Sequence, residues 1–192
     1  ECFKSLGYVV EAKVVCASDY GVPQNRYRVL FIGKKTDDNN YEIAFPAKSN
    51  KPAPTIKDAI GKYPALESGE SSDIVNHEAM VHSQQMIEKM SYVKDGGGRD
   101  NIPEEIRPQK GDIRKYIRYD STKPSICITG DMRKVFHYSQ NRALTVRELA
   151  AIQTYPDSFE FLGSKILQQQ MVGNSVPPLL AKAIADAVKT ML

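Results

Sequence analysis

The most informative part of the sequence is GVPQNRYRVLFIG, residues 21–33. Its apolar part lies between a proline and a glycine and predicts a β-strand. Because alternate side chains of a strand share a face, Gln24, Arg26 and Arg28 would form one polar row. The side chains of Tyr27, Val29 and Phe31 would pack behind it. Two guanidiniums about 7 Å apart on a rigid strand can bind phosphates or the polar edge of a base. An edge strand with solvated charges explains the pattern equally well.

A second stretch, RALTVRELAAIQTYPD at residues 142–157, predicts a helix with a defined start. Thr145 and Glu148 have the spacing of a capping box, in which each residue binds the backbone N–H of the other. Pro156 should end the helix near Tyr155. Arg147 and Glu148 are expected to form a structural ion pair or a cap, and Thr145 to be a cap.

The third stretch is GNSVPP, residues 173–178, which leads into an amphipathic helix over residues 179–192. A turn that enters a proline-started helix presents backbone N–H groups, which suit an anionic ligand such as a carboxylate. Simple N-capping of the helix by Asn174 or Ser175 is the alternative interpretation.

In this order and spacing, the three stretches resemble the C-terminal half of the cytosine-C5 DNA methyltransferases. Residues 21–33 are similar to the family's Gln-x-Arg-x-Arg motif, residues 142–157 to its Arg-x-Leu-Thr-x-Arg-Glu motif, and residues 173–178 to its closing Gly-Asn-Ser-Val-Pro-Pro motif. The resemblance implies an α/β fold: edge strands and the C-terminal helix of a Rossmann-like S-adenosylmethionine-dependent methyltransferase domain, plus a small, mixed and loop-rich target-recognition domain.

The implied domain boundaries follow the motifs. Residues 1–45 would be the last part of the catalytic domain, with strands over residues 8–15 and 26–34. Residues 46–140 would form the target-recognition domain, with a helix over residues 80–93 and short strands at 116–119 and 125–129. Residues 141–172 would link back, and residues 173–192 would close the cofactor pocket.

The family's glycine-rich cofactor turn, its Pro-Cys-Gln nucleophile and its Glu-Asn-Val segment do not occur in this sequence. None of the three cysteines lies in Pro-Cys-Gln, and Cys127 stands where the family usually has threonine. The chain is therefore expected to be a fragment that is inactive alone, with the missing N-terminal catalytic half as its partner.

The resemblance also implies roles for individual residues. Arg26 and Arg28 would serve catalysis, one facing the base and the other supporting the loop that carries the missing cysteine, with Gln24 structural. S-adenosylmethionine would be the cofactor. The residues implied to line its pocket are Asn174, Ser175 and Val176.

A basic segment suggests where duplex DNA binds. From Arg107 to Lys134 the sequence has eight Arg or Lys residues against three Asp, an excess that suits phosphate contacts but also describes an ordinary solvated surface. The residues expected to contact DNA are Arg114, Lys115, Arg118, Arg133 and Lys134.

Composition narrows the other possibilities. No apolar run approaches 18 residues, so no membrane span is expected, and the irregularly spaced cysteines and dispersed histidines predict neither a disulfide framework nor a metal site. A cytoplasmic, nucleoid-associated bacterial protein is expected. Two alternatives remain open: a separately encoded recognition subunit of a split methyltransferase, and a tRNA cytosine-C5 methyltransferase.

Overall fold

The computed structural model describes residues 2–38, 40–110 and 115–192. A long antiparallel hairpin lies near the start of the chain. A short helix α1 (Cys2–Ser5) precedes strand β1 (Tyr8–Cys16), and β1 pairs with β3 (Tyr27–Lys35) over nine residues. A 3₁₀ turn and the two-residue strand β2 (Gln24–Asn25) lie between them. The two predicted strands are thus present, with β3 beginning one residue later than expected.

One face of this hairpin packs on the last helix of the chain, α6 (Pro178–Lys189). Val15 and Ile32 are buried there, against Leu180 and Met191 respectively. Leu180 and Met191 belong to the apolar stripe that the sequence predicts, which also contains Ile184 and Val188. The C-terminal helix is therefore held to the hairpin by burial of apolar side chains.

The opposite face of the hairpin is apolar and exposed. Tyr27, Val29 and Phe31 are 58–68% exposed, and Val14 across the ladder is 68% exposed. The sequence-based expectation that Tyr27, Val29 and Phe31 pack behind the polar row is wrong for this chain, because no described segment covers that face. Large exposed apolar patches of this kind mark interaction surfaces.

The middle of the chain is built from short elements joined by loops. Helix α2 (Ile56–Ile60) begins with a capping box from Thr55, and helix α3 (Gln84–Tyr92) begins at an N-cap from Ser83. The predicted helix over residues 80–93 is therefore shorter at its start, because the Ser83 cap fixes where it begins. Three strands of two residues each follow: β4 (Ile117–Arg118), β5 (Ser125–Ile126) and β6 (Val135–Phe136).

The largest hydrophobic core joins the predicted recognition segment to the segment after it. Helix α4 (Val146–Ile152) contributes Leu149 and Ile152, which pack with Ile60, Ile128 and residues of helix α5 (Lys165–Asn174). The predicted segments 46–140 and 141–172 thus share one core. A smaller cluster around Met90 and Phe136 supports α3, and Met90 is fully buried, as expected for a core methionine.

The hairpin and the predicted recognition segment, residues 46–140, are connected by a parallel pairing of β2 with β5, in which Gln24 lies opposite Ser125. Strands β4 and β6 also pair in parallel. The short β2–β5 pairing places Gln24 and Arg26 of the predicted polar row beside residues 125–128.

Candidate active-site arginines and recognition groove

The guanidinium of Arg26 connects three segments that are far apart in sequence. Its Nη1 donates to Ile128 O (3.0 Å) and lies 3.2 Å from Cys127 Sγ, while its Nη2 donates to Gly173 O (2.9 Å) and Ser175 O (3.1 Å). Arg26 is only 4% exposed, and burial lowers its pKa. These contacts give Arg26 a positioning role, because it holds the segment around Ile128 and the closing motif together.

Arg28 differs sharply from Arg26, although both belong to the same predicted row. Its side chain is exposed; Nη1 donates to Tyr27 O (2.7 Å) and Nη2 lies 3.9 Å from Cys127 Sγ. A guanidinium has five N–H donors, and most of those of Arg28 remain free to donate to a ligand. Beside it, Cys127 and Thr129 line a cavity of about 210 Å³.

Gln24 lies at the centre of a buried amide network. Its Nε2 donates to Gln153 Oε1 (3.2 Å), and its Oε1 accepts from the backbone N–H of Ile128 (3.3 Å). Gln153 in turn donates to Val172 O (2.8 Å). These contacts are structural and fit the role predicted for Gln24. Gln153, for which the sequence predicts no role, completes the link from β2 to α5.

The closing motif has a different local structure from the predicted turn. Gly173 and Asn174 form the end of helix α5, Ser175 Oγ donates back to Val172 O (2.8 Å), and the N-cap of α6 is Pro177 without any side-chain cap. The alternative interpretation, N-capping of α6 by Asn174 or Ser175, is therefore wrong. Nor is the start of α6 a row of free donors, because Pro178 has no N–H and Leu179 N–H donates to Thr154 Oγ1 (3.2 Å).

Asn174 and Val176 remain exposed around this turn, and Ser175 is partly exposed. An exposed amide beside an exposed apolar side chain offers polar and apolar contacts to a ligand such as the amino-acid end of S-adenosylmethionine. The three residues therefore fit part of a cofactor pocket, and Arg26 fixes their position through Ser175 O.

Thr154, which holds the start of α6, has a left-handed backbone conformation, with φ 68°. This conformation is rare and strained for a β-branched residue. The Thr154 N–H donates to Ala151 O (2.9 Å) as α4 ends, which directs its hydroxyl to α6. Nothing in the residue pattern around Thr154 distinguishes it before the structure is known.

The start of α4 contains the predicted capping box, extended by a buried ion pair. Glu148 accepts the Thr145 N–H (2.8 Å), and Glu148 N–H donates to Thr145 Oγ1 (3.2 Å). Arg142 binds both Glu148 oxygens, at 2.7 and 2.8 Å. Burial alone would raise the pKa of Glu148, but the hydrogen bonds and charge of Arg142 outweigh it, so the pKa lies below its usual value.

One expectation about this helix is corrected, and the structure places a neighbouring histidine whose role the sequence leaves open. Arg147 makes no ion pair with Glu148: its Nε donates to Val75 O (2.9 Å) and its two Nη atoms to Pro156 O (3.1 Å) and Phe159 O. His137, whose role the sequence left open, is buried 3.7 Å from Glu148, and burial lowers its pKa to about 4.

The expected DNA-binding residues divide into buried and exposed ones. Arg118 is buried, and its five N–H groups meet five acceptors at 2.5–2.8 Å. The prediction that Arg118 contacts DNA is therefore wrong, because no donor is left for a phosphate. The acceptors are Val93 O, His137 O, Gln140 O, Met90 O and Asn141 Oδ1.

Lys115, Arg133 and Lys134 lie together on the surface. Lys115 and Arg133 both bind Asp131, and Lys134 Nζ lies 4.9 Å from the ring centre of Tyr116. Arg114 lies outside the described residues. Within the described ranges, no group of three potential metal ligands is found, and no helix is long and apolar enough to cross a membrane.

Comparison with solved structures defines the class of fold. A prophage-encoded Escherichia coli chain, described as a DNA modification methyltransferase, superposes with a TM-score of 0.75 over 97% of this chain and 61% of its own, at 23% identity. Spodoptera frugiperda DNMT2 superposes with a TM-score of 0.58 over 97% of this chain and 60% of its own, at 14% identity. The chain therefore has the mixed α/β fold of methyltransferases.

Sequence comparison then gives the family. The model of C-5 cytosine-specific DNA methylases matches residues 1–190, so the chain belongs to that family. It is 63% identical to the type II methyltransferase M1.HphI of Haemophilus parahaemolyticus, over all of this chain and 50% of that protein. It is 33% identical to M.BbvI of Brevibacillus brevis, over 95% of this chain and 49% of that protein. The chain thus spans about half the length of these relatives.

Proposed function

We propose that this chain is the C-terminal half of a type II DNA cytosine-C5 methyltransferase, and that the whole protein methylates C5 of a flipped cytosine in a specific duplex DNA site. The observation that carries the proposal is the exposed guanidinium of Arg28 at the rigid start of β3, beside the cavity lined by Cys127. Family membership and the relatives' type II assignment support it.

Arg28 is the residue we assign to the reaction. Cytosine C5 is a poor nucleophile until a thiolate adds at C6, and the base must leave the duplex to be reached. Negative charge then develops on the ring and at O2. A guanidinium that is already in position stabilises this charge without having to reorganise, and Arg28 has unused N–H donors for it.

Arg26 supports that reaction indirectly. Its contacts to Ile128 O and Gly173 O fix the wall of the base cavity against the closing motif. Asn174, Ser175 and Val176 would hold the amino-acid end of S-adenosylmethionine, which supplies the methyl group. Most of the cofactor pocket and the nucleophilic cysteine would come from the N-terminal half.

The apolar hairpin face is the surface we assign to that N-terminal half. Val29 and Phe31 are more than half exposed on it, and the chain covers 50% of a relative to which it is 63% identical. Burial of each large apolar side chain contributes about 1.5–3 kcal/mol. This face would therefore supply much of the free energy that holds the halves together.

The reaction is tested with the full-length protein and its Arg28→Ala variant. Methyl transfer from radiolabelled S-adenosylmethionine to duplex DNA is followed under single-turnover conditions. Loss of an oriented charge donor should slow methyl transfer about 10²–10³-fold, while urea unfolding should be unchanged. Arg28→Lys keeps the charge but not the planar donors, so it should recover only part of the rate. An unchanged rate in Arg28→Ala would remove Arg28 from the active site.

Two competing functions are separated by simple controls. A tRNA cytosine methyltransferase would methylate structured RNA in preference to duplex DNA when both compete in one reaction. A recognition subunit of a split enzyme would bind duplex DNA in a salt-dependent way, but would become active only when a separately encoded catalytic half is added. Methylation of duplex DNA in preference to structured RNA, by one continuous polypeptide, rules out both.

A further inference from the structure

A carboxylate holds one arginine of the basic segment in a fixed orientation. Arg133 Nε donates to Asp131 Oδ1 (2.9 Å) and Arg133 Nη2 to Oδ2 (3.3 Å), so the contact is bidentate. Lys115 Nζ binds the same Oδ2 at 3.0 Å. With one edge of its guanidinium occupied, Arg133 presents the other edge, which includes Nη1, outward. Its side chain is 53% exposed.

This clamp lies between two neighbouring cavities. Lys115 and Asp131 line both the cavity next to Cys127 and a larger one of about 390 Å³. The larger cavity is also lined by His82, Ser83 and Arg133. The two cavities share these two lining residues, so they are adjacent, with Cys127 in the smaller one and Arg133 in the larger one; together they are named the recognition groove. A base pair beside the methylated cytosine would meet Arg133 along this groove.

The charges of the clamp favour a base edge over a phosphate. Asp131 is held ionised, since the hydrogen bond from Arg133, with that from Lys115 in support, outweighs partial burial and keeps its pKa well below the usual range. This carboxylate offsets part of the positive charge of Arg133 and Lys115, so a phosphate at the free edge of Arg133 gains less than it would at an unpaired arginine. The major-groove edge of guanine is neutral and offers two acceptors, O6 and N7, which match two parallel N–H donors.

We propose that Arg133, oriented by Asp131, reads a guanine of the recognition site through O6 and N7 in the major groove. The proposal rests on the proposed function, because it requires a site-specific DNA methyltransferase. Asp131 is then a positioning residue and Lys115 its second partner. The arrangement is a specificity determinant of the groove, distinct from the charge stabilisation assigned to Arg28.

The test uses the full-length protein and duplexes altered at single atoms. The methylated site is first mapped by bisulfite sequencing of plasmid DNA from cells that express the protein. Each guanine of that site is then replaced in turn by 7-deazaguanine, which lacks the N7 acceptor, and kcat/KM for methyl transfer is measured. For the unmodified enzyme, one position should cost about fivefold or more.

The Arg133→Ala variant should have lower activity, yet should no longer distinguish guanine from 7-deazaguanine at that position. Asp131→Asn should reduce the discrimination part of the way, because it loosens the guanidinium without removing it. The matched control is the exposed pair Lys182 and Asp186 on α6, whose contact is 2.6 Å long. Lys182→Ala and Asp186→Asn should leave the discrimination intact.

Other outcomes overturn the inference in recognisable ways. If Arg133→Ala lowers activity equally on every duplex and reduces the salt dependence of binding, Arg133 is a phosphate contact. If its 7-deazaguanine penalties equal those of the unmodified enzyme, Arg133 reads no guanine. If the unmodified protein methylates no cytosine in any duplex DNA, the proposed function itself fails, which is distinguishable because all variants are then inactive.

Discussion

Replacement of Arg26 by methionine should destabilise the protein far more than the same change at Arg28. The guanidinium of Arg26 donates to the carbonyl oxygens of Ile128, Gly173 and Ser175, of which the first two contacts are buried. Methionine keeps most of the apolar stem but no donor, so these acceptors lose their partner.

The cost follows from the number of orphaned groups. A buried acceptor left without a partner costs about 1–3 kcal/mol. Two buried carbonyls and one partly buried carbonyl, which water can reach, therefore give about 3–5 kcal/mol in total, within the range for breaking a buried charged network. That is a large part of the 5–15 kcal/mol that typically stabilises a domain. Arg28→Met removes no buried contact and should change the free energy of unfolding by less than about 0.5 kcal/mol.

Urea unfolding of both variants in the full-length protein, followed by circular dichroism, measures this difference. Hydrogen exchange adds the location: in Arg26→Met, protection should be lost first at Ile128 and around residues 172–175. Equal unfolding midpoints for the two variants would refute the reasoning, since burial and bonding would then not separate the two arginines. A loss of stability without altered exchange near Ile128 would also count against it.

Three further changes test other parts of the structure. In Gly173→Ala, the new Cβ would lie 2.5 Å from the carbonyl C and O of Thr129, so thermal unfolding should report about 3 kcal/mol of destabilisation from overpacking. Stability should fall by about 3 kcal/mol as the pH drops from 6.5 towards 4, because His137 is protonated in the unfolded chain but not in the folded one; urea titrations of His137→Asn should lose that slope. Phe31→Ser should weaken association of separately expressed halves about 10-fold or more in a pull-down titration. The exposed-surface control Lys182→Ala should leave that association unchanged.

The parts of the fold that the sequence predicts are those specified by neighbouring residues. The capping box of Thr145 and Glu148, the two hairpin strands and the stripe of α6 depend on spacings of two to four residues, and all are present. The apolar pattern predicts a start of α3 four residues too early, because the Ser83 cap, a local signal, fixes the first helical residue at Gln84.

The site itself was only partly predictable, because its contacts join distant residues. The parallel pairing of Gln24 with Ser125 spans about a hundred residues and leaves no periodic trace in the sequence. A count of charges cannot show that Arg118 is buried among five acceptors, because a buried and an exposed arginine contribute equally to it. A count of basic residues therefore identifies a charged segment but cannot separate structural arginines from those available to DNA.

The difference between Arg26 and Arg28 shows why spacing alone cannot assign their roles. Alternation along a strand puts both side chains on one face. Of the two, only Arg26 lies between the segment around Ile128 and the closing motif. Its burial is a consequence of those two segments, which lie about 100 and 150 residues later in the chain. Arg28, two residues further along the chain, lies beyond that contact, and most of its donors remain unused. The contacts of Arg26 hold the segment of Cys127 beside Arg28. Under the proposed function, the first arginine therefore supplies rigidity and the second the charge that the reaction needs.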